Sequence, residues 1–93
     1  MKFGIIGAGG IAVWMAKTLA SVEGAESYAI AARDLARAQA FAETYGFAKA
    51  YGSYEELVSD PEVDVVYIAT PHSHHFEHAK LAMEHGKHVL CEK

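Results

Sequence analysis

Residues 4–12 of the chain read GIIGAGGIA, an apolar run that passes into closely spaced glycines and then into the apolar segment 11–16. This pattern is typical of a ligand-binding loop, a signal peptide or a tight turn. Lys17 interrupts the apolar stretch before it reaches the about 20 residues that cross a bilayer, and the glycines would break a membrane helix. The sequence therefore argues against a signal peptide and against a membrane partner, and the neighbouring elements decide between the other two readings.

Short apolar strands alternate with helices along the chain. Because parallel strands need crossover helices, the alternation predicts an α/β fold: one domain over 1–93 with a doubly wound parallel sheet of Rossmann type and strand order 3-2-1-4-5. Ligands of such a sheet bind at the switch point between strands 1 and 4. The predicted strands are 2–6, 27–32, 47–51, 63–69 and 88–91, and the predicted helices are 9–20, 35–45, one that follows Ser53, and one from 72 or 73 to about 85.

Single residues mark the ends of these helices. Asp34 is placed to cap the second helix, and Gly46 is placed to end it. Ser53 and Glu56 have the spacing of a capping box, in which each side chain accepts from the other residue's backbone N–H. Gly86 ends the last helix. These signals predict the short connections that a doubly wound sheet needs.

The glycine stretch matches the pattern G-x-G-x-x-A, in which each small residue has its own physical role. Gly7 permits the tight turn out of strand 1, Gly9 lets a pyrophosphate approach the backbone, and Ala12 lets the helix pack closely on the strand. The helix that starts here directs backbone N–H groups and a positive dipole end toward bound phosphates. With a strand before it and a helix after it, the motif predicts a dinucleotide site that also includes Gly10 and Ile11.

The end of strand 2 predicts which dinucleotide is bound. An acidic residue there accepts from the ribose 2′-OH of NAD, whereas an arginine receives the 2′-phosphate of NADP. Here Ala32 occupies the acidic position and Arg33 follows it, which favours NADP as the cofactor. NAD stays open as the alternative, in which Arg33 is solvated and Asp34 both caps its helix and holds the 2′-OH.

Composition excludes several other classes of protein. The net charge is −4, and the eight Lys and Arg residues are scattered, so the sequence predicts no nucleic-acid partner. The single cysteine, Cys91, allows neither an internal disulfide nor a thiolate metal cluster. This usage fits a reducing, cytoplasmic location.

Residues 63–93 add a second set of motifs. A strand ends in Thr70-Pro71, a histidine stands four residues after the proline, and Gly86-Lys87-His88-Val89 and Glu92-Lys93 follow. Together with the glycine motif, these segments resemble the Gfo/Idh/MocA oxidoreductase family, which is named for glucose-fructose oxidoreductase and inositol dehydrogenase. The segment Ala-Arg-Asp at 32–34 is similar to the dihydrodiol dehydrogenase-like, NADP-using branch of that family.

The resemblance implies roles for residues near the end of the chain. Lys93 matches the lysine that lies beside the nicotinamide and substrate, so it is the expected catalytic residue. A lysine near a cationic ring loses its proton more easily, which suits it to orient or deprotonate an alcohol. Glu92, Thr70, Pro71 and His75 are the further residues expected at the cofactor.

The resemblance also implies a function, hydride transfer between nicotinamide and a sugar or another hydroxy or carbonyl compound. Family members continue into a second domain that supplies the substrate pocket, so these 93 residues are expected to bind cofactor without turnover. Two alternatives stay open: a binding or sensing module in which NAD(P) is only a ligand, and a self-associating module. A strand 5 left at the sheet edge is expected to pair with a second copy as a homodimer.

The histidines of the last helix raise a metal hypothesis, because His at i and i+4 can share an ion. On a helical wheel, His74, His78 and His85 lie along one flank, and His75 falls on the inward face with two alanines. No carboxylate ligand shares that flank, so the sequence predicts no functional metal site.

The first helix is apolar nearly all round. Trp14, Met15 and Leu19 have helical spacing, which more often indicates core packing than a cofactor contact. All three are therefore expected in the core.

Overall fold

The computed structural model shows a parallel sheet with helices on both faces. It describes residues 1–7, 9–70 and 75–91, and at His75 and Cys91 it describes the backbone alone. The sheet order is β3-β2-β1-β4-β5, and every neighbouring pair is parallel. The predicted doubly wound α/β fold and strand order are confirmed. The elements are β1 (Lys2–Ile6), α1 (Gly10–Ala20), β2 (Glu26–Ala31), α2 (Leu35–Tyr45), β3 (Lys49–Tyr51), α3 (Tyr54–Val58), β4 (Val65–Ile68), α4 (His75–Glu84) and β5 (His88–Cys91).

Two strands are shorter than their apolar runs predict, because the backbone N–H groups of the first residues in these runs donate hydrogen bonds within turns. The Phe47 N–H donates to the Ala42 carbonyl at 2.9 Å, so Phe47 belongs to the end of α2, and β3 begins at Lys49. The Val63 N–H donates to the Asp60 carbonyl at 3.2 Å, which delays the start of β4 to residue 65. Phe47 and Val63 are therefore apolar because they are buried, and not because they belong to strands.

The predicted helix ends are present with one difference. The Asp34 carboxylate accepts from the Ala36 N–H at 2.9 Å, and Gly46 closes α2 with a φ of 78° in the left-handed region. The Ser53 hydroxyl accepts from the Glu56 N–H at 3.2 Å. It also donates to the Glu56 carboxylate at 3.0 Å, so that carboxylate binds the hydroxyl and not the Ser53 backbone N–H that a full capping box requires.

Alternation along the central strands divides the core between the two faces of the sheet. Ile5 packs with α1 and α2 on one face, whereas Ile6 packs with α3 and α4 on the other, and both side chains are fully buried. Consecutive strand residues point to opposite faces, so a strand buried on both sides is apolar throughout, as β4 is. The sheet is therefore covered on both faces, and its loops are left at the ends of the strands.

One side chain of α1 contradicts the sequence interpretation. Met15 and Leu19 are buried, as expected, but Trp14 is 58% exposed. Ala12, Met15, Ala16 and Leu19 form the buried face, and Trp14 lies about 100° around the helix from Met15. Of the helices in the described ranges, none has the length and apolar character needed to span a bilayer.

A buried carboxylate joins several elements on the α3–α4 face. Asp60, in the turn before β4, accepts from the Tyr51 hydroxyl at 2.6 Å and the Tyr28 hydroxyl at 2.9 Å. Tyr28 is the extra residue of a β-bulge, because Phe3 pairs with Ser27 and the next residue of β1 pairs with Ala29. These hydrogen bonds hold the pKa of Asp60 below its usual value despite burial, and burial together with Asp60 raises the pKa of Tyr28 to about 12.

Candidate functional site

A cleft of about 470 Å³ lies at the carboxyl ends of β1, β2 and β4. The chain runs outward from β1 to β3 and then returns to β4, so the cleft lies at the switch point where sheets of this type bind ligands. Its lining residues are Gly7, Gly9, Gly10, Ile11, Ala32, Arg33, Asp34, Arg37, Tyr54, Ala69 and Thr70. The structure thus brings together the described residues predicted for the site from three separate loops.

Gly7 is required by the backbone and by its neighbours. Its φ is +104°, and a Cβ there would lie 2.9 Å from the Ala69 carbonyl oxygen and 3.2 Å from the Thr70 methyl carbon. Its N–H donates to the Ala31 carbonyl at 2.8 Å. The turn out of β1 is therefore held against the ends of both neighbouring strands, where only glycine fits.

Gly9 and Gly10 have a different environment. A Cβ at either position would meet no protein atom within 4 Å, and both residues are exposed to the cleft. Gly9 is the N-cap of α1, no side chain caps it, and the first turn contains no acidic residue. The open side of the loop and the positive end of α1 together fit a phosphate group that approaches the backbone.

Two arginines line the other end of the cleft, beyond β2. Ala32 is 4% exposed, and Arg33 and Arg37 are both exposed at the start of α2. The Asp34 carboxylate accepts the capping hydrogen bond of α2. Arg37 was missed by the sequence analysis, although its i+4 spacing from Arg33 is a signal that could have found it.

Thr70 follows β4 and is tied to α4. Its hydroxyl lies 2.7 Å from Nδ1 of His78, and both side chains are 9% exposed. The Tyr54 ring of α3 meets the His78 imidazole edge-on, with ring centroids 4.7 Å apart. His78 and His85 thus have different environments, because His85 is exposed and its Nδ1 lies 2.9 Å from the Leu81 carbonyl oxygen.

The remaining predicted residues cannot be placed in the cleft. Pro71, Glu92 and Lys93 lie outside the described residues, as do His72 and His74 of the metal hypothesis. His75 begins α4, and its side chain lies outside the described part of the structure. Across residues 1–7, 9–70 and 75–91, no group of three or more His, Cys, Asp or Glu side chains is arranged to hold a metal ion.

The whole chain matches a known protein family. A model of the GFO_IDH_MocA family, described as an oxidoreductase family with an NAD-binding Rossmann fold, matches residues 1–93. The D-xylose 1-dehydrogenase (NADP(+)) of Hypocrea jecorina is 48% identical over 105 residues, a match that covers all of this chain and 27% of the relative. The trans-1,2-dihydrobenzene-1,2-diol dehydrogenase of Mus musculus is 48% identical over 95 residues, covering all of this chain and 28% of the relative.

Solved structures agree with the sequence match. The crystal structure of an NAD binding oxidoreductase from Klebsiella pneumoniae superposes with a TM-score of 0.93 at 38% identity, covering all of this chain and 27% of that chain. The chain therefore spans less than a third of the length of these relatives.

Proposed function

Because the chain belongs to the oxidoreductase family with an NAD-binding Rossmann fold, we propose that its cleft binds NADP in preference to NAD. The observation that carries the preference is the pair Arg33 and Arg37 at the end of the cleft beyond β2, where the adenosine ribose binds in such sheets. The capping bond of Asp34 gives its carboxylate a structural role. The NADP(+) dependence in the name of the Hypocrea jecorina relative supports the same choice.

We assign the pyrophosphate to the glycine loop. Gly9 and Gly10 leave the space that it needs, and the backbone N–H groups of Gly10 and Ile11, in the first turn of α1, are suited to bind its oxygens. Gly7 shapes the turn. Thr70 also lines the cleft, beside Gly7, and its hydroxyl is suited to bind the cofactor.

Pro71, His75 and Glu92 remain proposed cofactor residues on the family resemblance. In the sequence, Pro71 stands three residues after the end of β4, His75 begins α4, and Glu92 is the next residue after β5. The carboxyl ends of β4 and β5 lie at the same edge of the sheet as the glycine loop, because all five strands are parallel.

For the whole protein, we propose oxidoreduction of a sugar or another hydroxy or carbonyl compound. A bound nicotinamide ring supplies the hydride chemistry. In the sequence, Lys93 stands two residues after the end of β5, and its amine is suited to take the hydroxyl proton as the carbinol C–H hydride leaves. The substrate class follows the names of the related dehydrogenases.

The arginine pair gives the direct test of cofactor choice. A charge-assisted hydrogen bond contributes about 1.5–3 kcal/mol, so Arg33→Ala and Arg37→Ala should each weaken NADP by about 10- to 150-fold and leave NAD nearly unchanged. Calorimetric titration of each variant with NADP and NAD measures both affinities. Lys17→Ala, which removes one positive charge from the exposed last turn of α1, is the matched control and should change neither.

Two results would contradict the proposal. If the wild-type protein binds NAD more tightly than NADP, the ribose 2′-OH is held by Asp34, and the arginine pair does not select the cofactor. Equal losses of NADP and NAD in both arginine variants would give the guanidinium groups a role that does not involve the 2′-phosphate.

We further infer that two copies of the chain associate through β5, and that the protein is cytoplasmic. Among the described residues β5 pairs with β4 alone, which leaves its other side as a sheet edge, and Leu90 on this strand is 47% exposed. Unpaired edges favour pairing with another strand, and a two-fold pairing of two β5 strands leaves neither of them free for a third copy.

The cytoplasmic assignment rests on the single cysteine, Cys91, because disulfides are rare in the reducing cytosol.

A further inference from the structure

The hydrogen bond between Thr70 and His78 connects the cofactor cleft to a titratable group behind it. Thr70 lines the cleft, and its methyl group lies against Gly7. His78 belongs to α4 and reaches the Thr70 hydroxyl from the side away from the cleft, with Nδ1 2.7 Å from Oγ1. A threonine at this position can therefore respond to a histidine that does not line the cleft.

The direction of this hydrogen bond depends on the protons of the imidazole. When Nδ1 carries no hydrogen, it accepts, and the Thr70 hydroxyl must donate to it. When Nδ1 carries a hydrogen, as it always does in the charged imidazolium, Nδ1 donates, and the Thr70 hydroxyl directs its own hydrogen elsewhere. From the neutral tautomer that carries its hydrogen on Nε2, protonation of His78 therefore reverses this hydrogen bond and turns the hydroxyl dipole of Thr70.

We infer that His78 is a positioning residue that sets the direction of the Thr70 hydroxyl and so makes dinucleotide binding depend on pH. The inference rests on the proposed function, because it requires a dinucleotide in the cleft. Pyrophosphate and ribose oxygens accept hydrogen bonds, so an imidazolium that turns the Thr70 hydrogen toward the cleft strengthens binding. Its positive charge acts in the same direction on an anionic ligand.

Other titratable and charged side chains lie near His78, and they are the same in the wild type and in the His78 and Thr70 variants. The Tyr54 ring packs edge-on against the imidazole. The two grooves that His78 lines also contain the exposed side chains Glu55 of α3, Arg33 before α2, and Glu77, Lys80 and Glu84 of α4. Because these groups stay in place, the part of the pH dependence that His78 supplies is the part that its substitution removes.

The test is the affinity for NAD between about pH 5 and pH 8, the range in which histidines titrate. NAD is used because it lacks the 2′-phosphate, whose own titration falls in this range. Calorimetry on the wild type should show binding that tightens by about two- to tenfold toward the acid end, the size of one net hydrogen bond. His78→Asn, whose amide replaces Nδ1 without titrating, should show little of this change.

Two further variants separate the hydroxyl from the packing. Thr70→Val keeps the shape of the side chain and removes the hydroxyl, so it should reduce the pH dependence, and the double variant with His78→Asn should lose no more than His78→Asn alone. His85→Gln is the matched control, because it removes an exposed histidine of the turn after α4 that bonds only a backbone carbonyl in the described structure. It should keep the wild-type profile.

The outcomes distinguish this inference from the function on which it rests. Wild-type protein that binds neither NAD nor NADP would refute the proposed function. Binding that is present but constant over the pH range, or a folded His78→Asn variant with the wild-type profile, would overturn the role of His78. If His78→Asn does not fold, the wild-type and Thr70→Val profiles still decide the question.

Discussion

Gly7 and Gly9 belong to one motif, but the structure gives them different physical roles. A Cβ at Gly7 would meet the Ala69 carbonyl at 2.9 Å in a backbone conformation that L-residues rarely adopt. A Cβ at Gly9 would meet no protein atom within 4 Å. Gly7 therefore stabilises the fold itself, whereas Gly9 is needed only when a ligand occupies the cleft.

Gly9→Val should abolish binding of both NADP and NAD and leave the fold unchanged. Its side chain would enter the space of the pyrophosphate, and its Cβ would meet no protein atom within 4 Å. Calorimetric titration measures the binding, and circular dichroism measures the fold.

Ala20→Val, in the exposed last residue of α1, is the control with the same kind of side chain and should bind normally. Gly7→Ala should instead lower the free energy of unfolding by about 1–3 kcal/mol, because of its strained backbone. An intact Gly9→Val protein with wild-type affinity would refute the pyrophosphate assignment.

At the scale of elements, Asp60 joins segments that are distant in sequence. Its carboxylate binds the hydroxyls of Tyr28 in β2 and Tyr51 in β3, and its carbonyl accepts from Nζ of Lys87, just before β5, at 2.7 Å. Because of the bulge in β2, no residue of β1 pairs with Tyr28 in the strand register. One turn residue thus connects both outer parts of the sheet.

This connection should make stability depend on pH at both extremes. The pKa of Asp60 is lowered in the fold, so its contribution is present above the ordinary Asp value of about 3.9 and is lost as the pH falls through the folded pKa. The pKa of Tyr28 is raised to about 12, so its contribution is present below about pH 10 and is lost as the pH rises toward 12.

Denaturant unfolding across the pH range measures these contributions. Asp60→Asn should cost about 1–3 kcal/mol at neutral pH and should flatten the loss of stability in acid, because the amide does not titrate. Asp64→Asn, at an exposed carboxylate that accepts from the Lys2 N–H, is the comparison and should cost less. Equal acid profiles for the wild type and Asp60→Asn would contradict the assignment.

At the scale of the whole molecule, the sheet collects the ends of β1, β2 and β4 into one cleft and leaves β5 at its margin. Helices cover both faces, so among the described residues backbone donors and acceptors remain available along the outer sides of the two edge strands, β3 and β5. β5 is the longer of the two and carries the exposed Leu90, so association of this chain is expected there.

Sedimentation of the 93-residue chain at high micromolar concentration should show a dimer. Leu90→Glu places a charge on the β5 edge and should shift the equilibrium toward monomer. Val22→Glu, at a similarly exposed apolar residue between α1 and β2, should leave the dimer intact. A wild-type monomer, or equal dissociation of both variants, would refute association through β5.

Much of the fold was predictable because its signals are local. Alternating strands and helices, the cap at Asp34 and the end of α2 at Gly46 each depend on a few neighbouring residues. The same holds for the glycine loop and for Arg33, which follow β1 and β2 directly. Trp14 was misplaced because an apolar helix has no polar stripe that identifies its buried face.

The sequence by itself thus determined the strand order, the position of the cleft and the loop suited to a pyrophosphate, since turn chemistry and strand alternation are encoded over short distances. Only the tertiary structure decided that His78 lies behind Thr70, that Arg37 joins Arg33, and that Tyr28 reaches Asp60. Such pairings depend on how each helix is rotated against the sheet and on a one-residue bulge in strand register. Packing of the assembled core determines both the helix rotation and the strand register, and neither can be predicted from a short stretch of sequence.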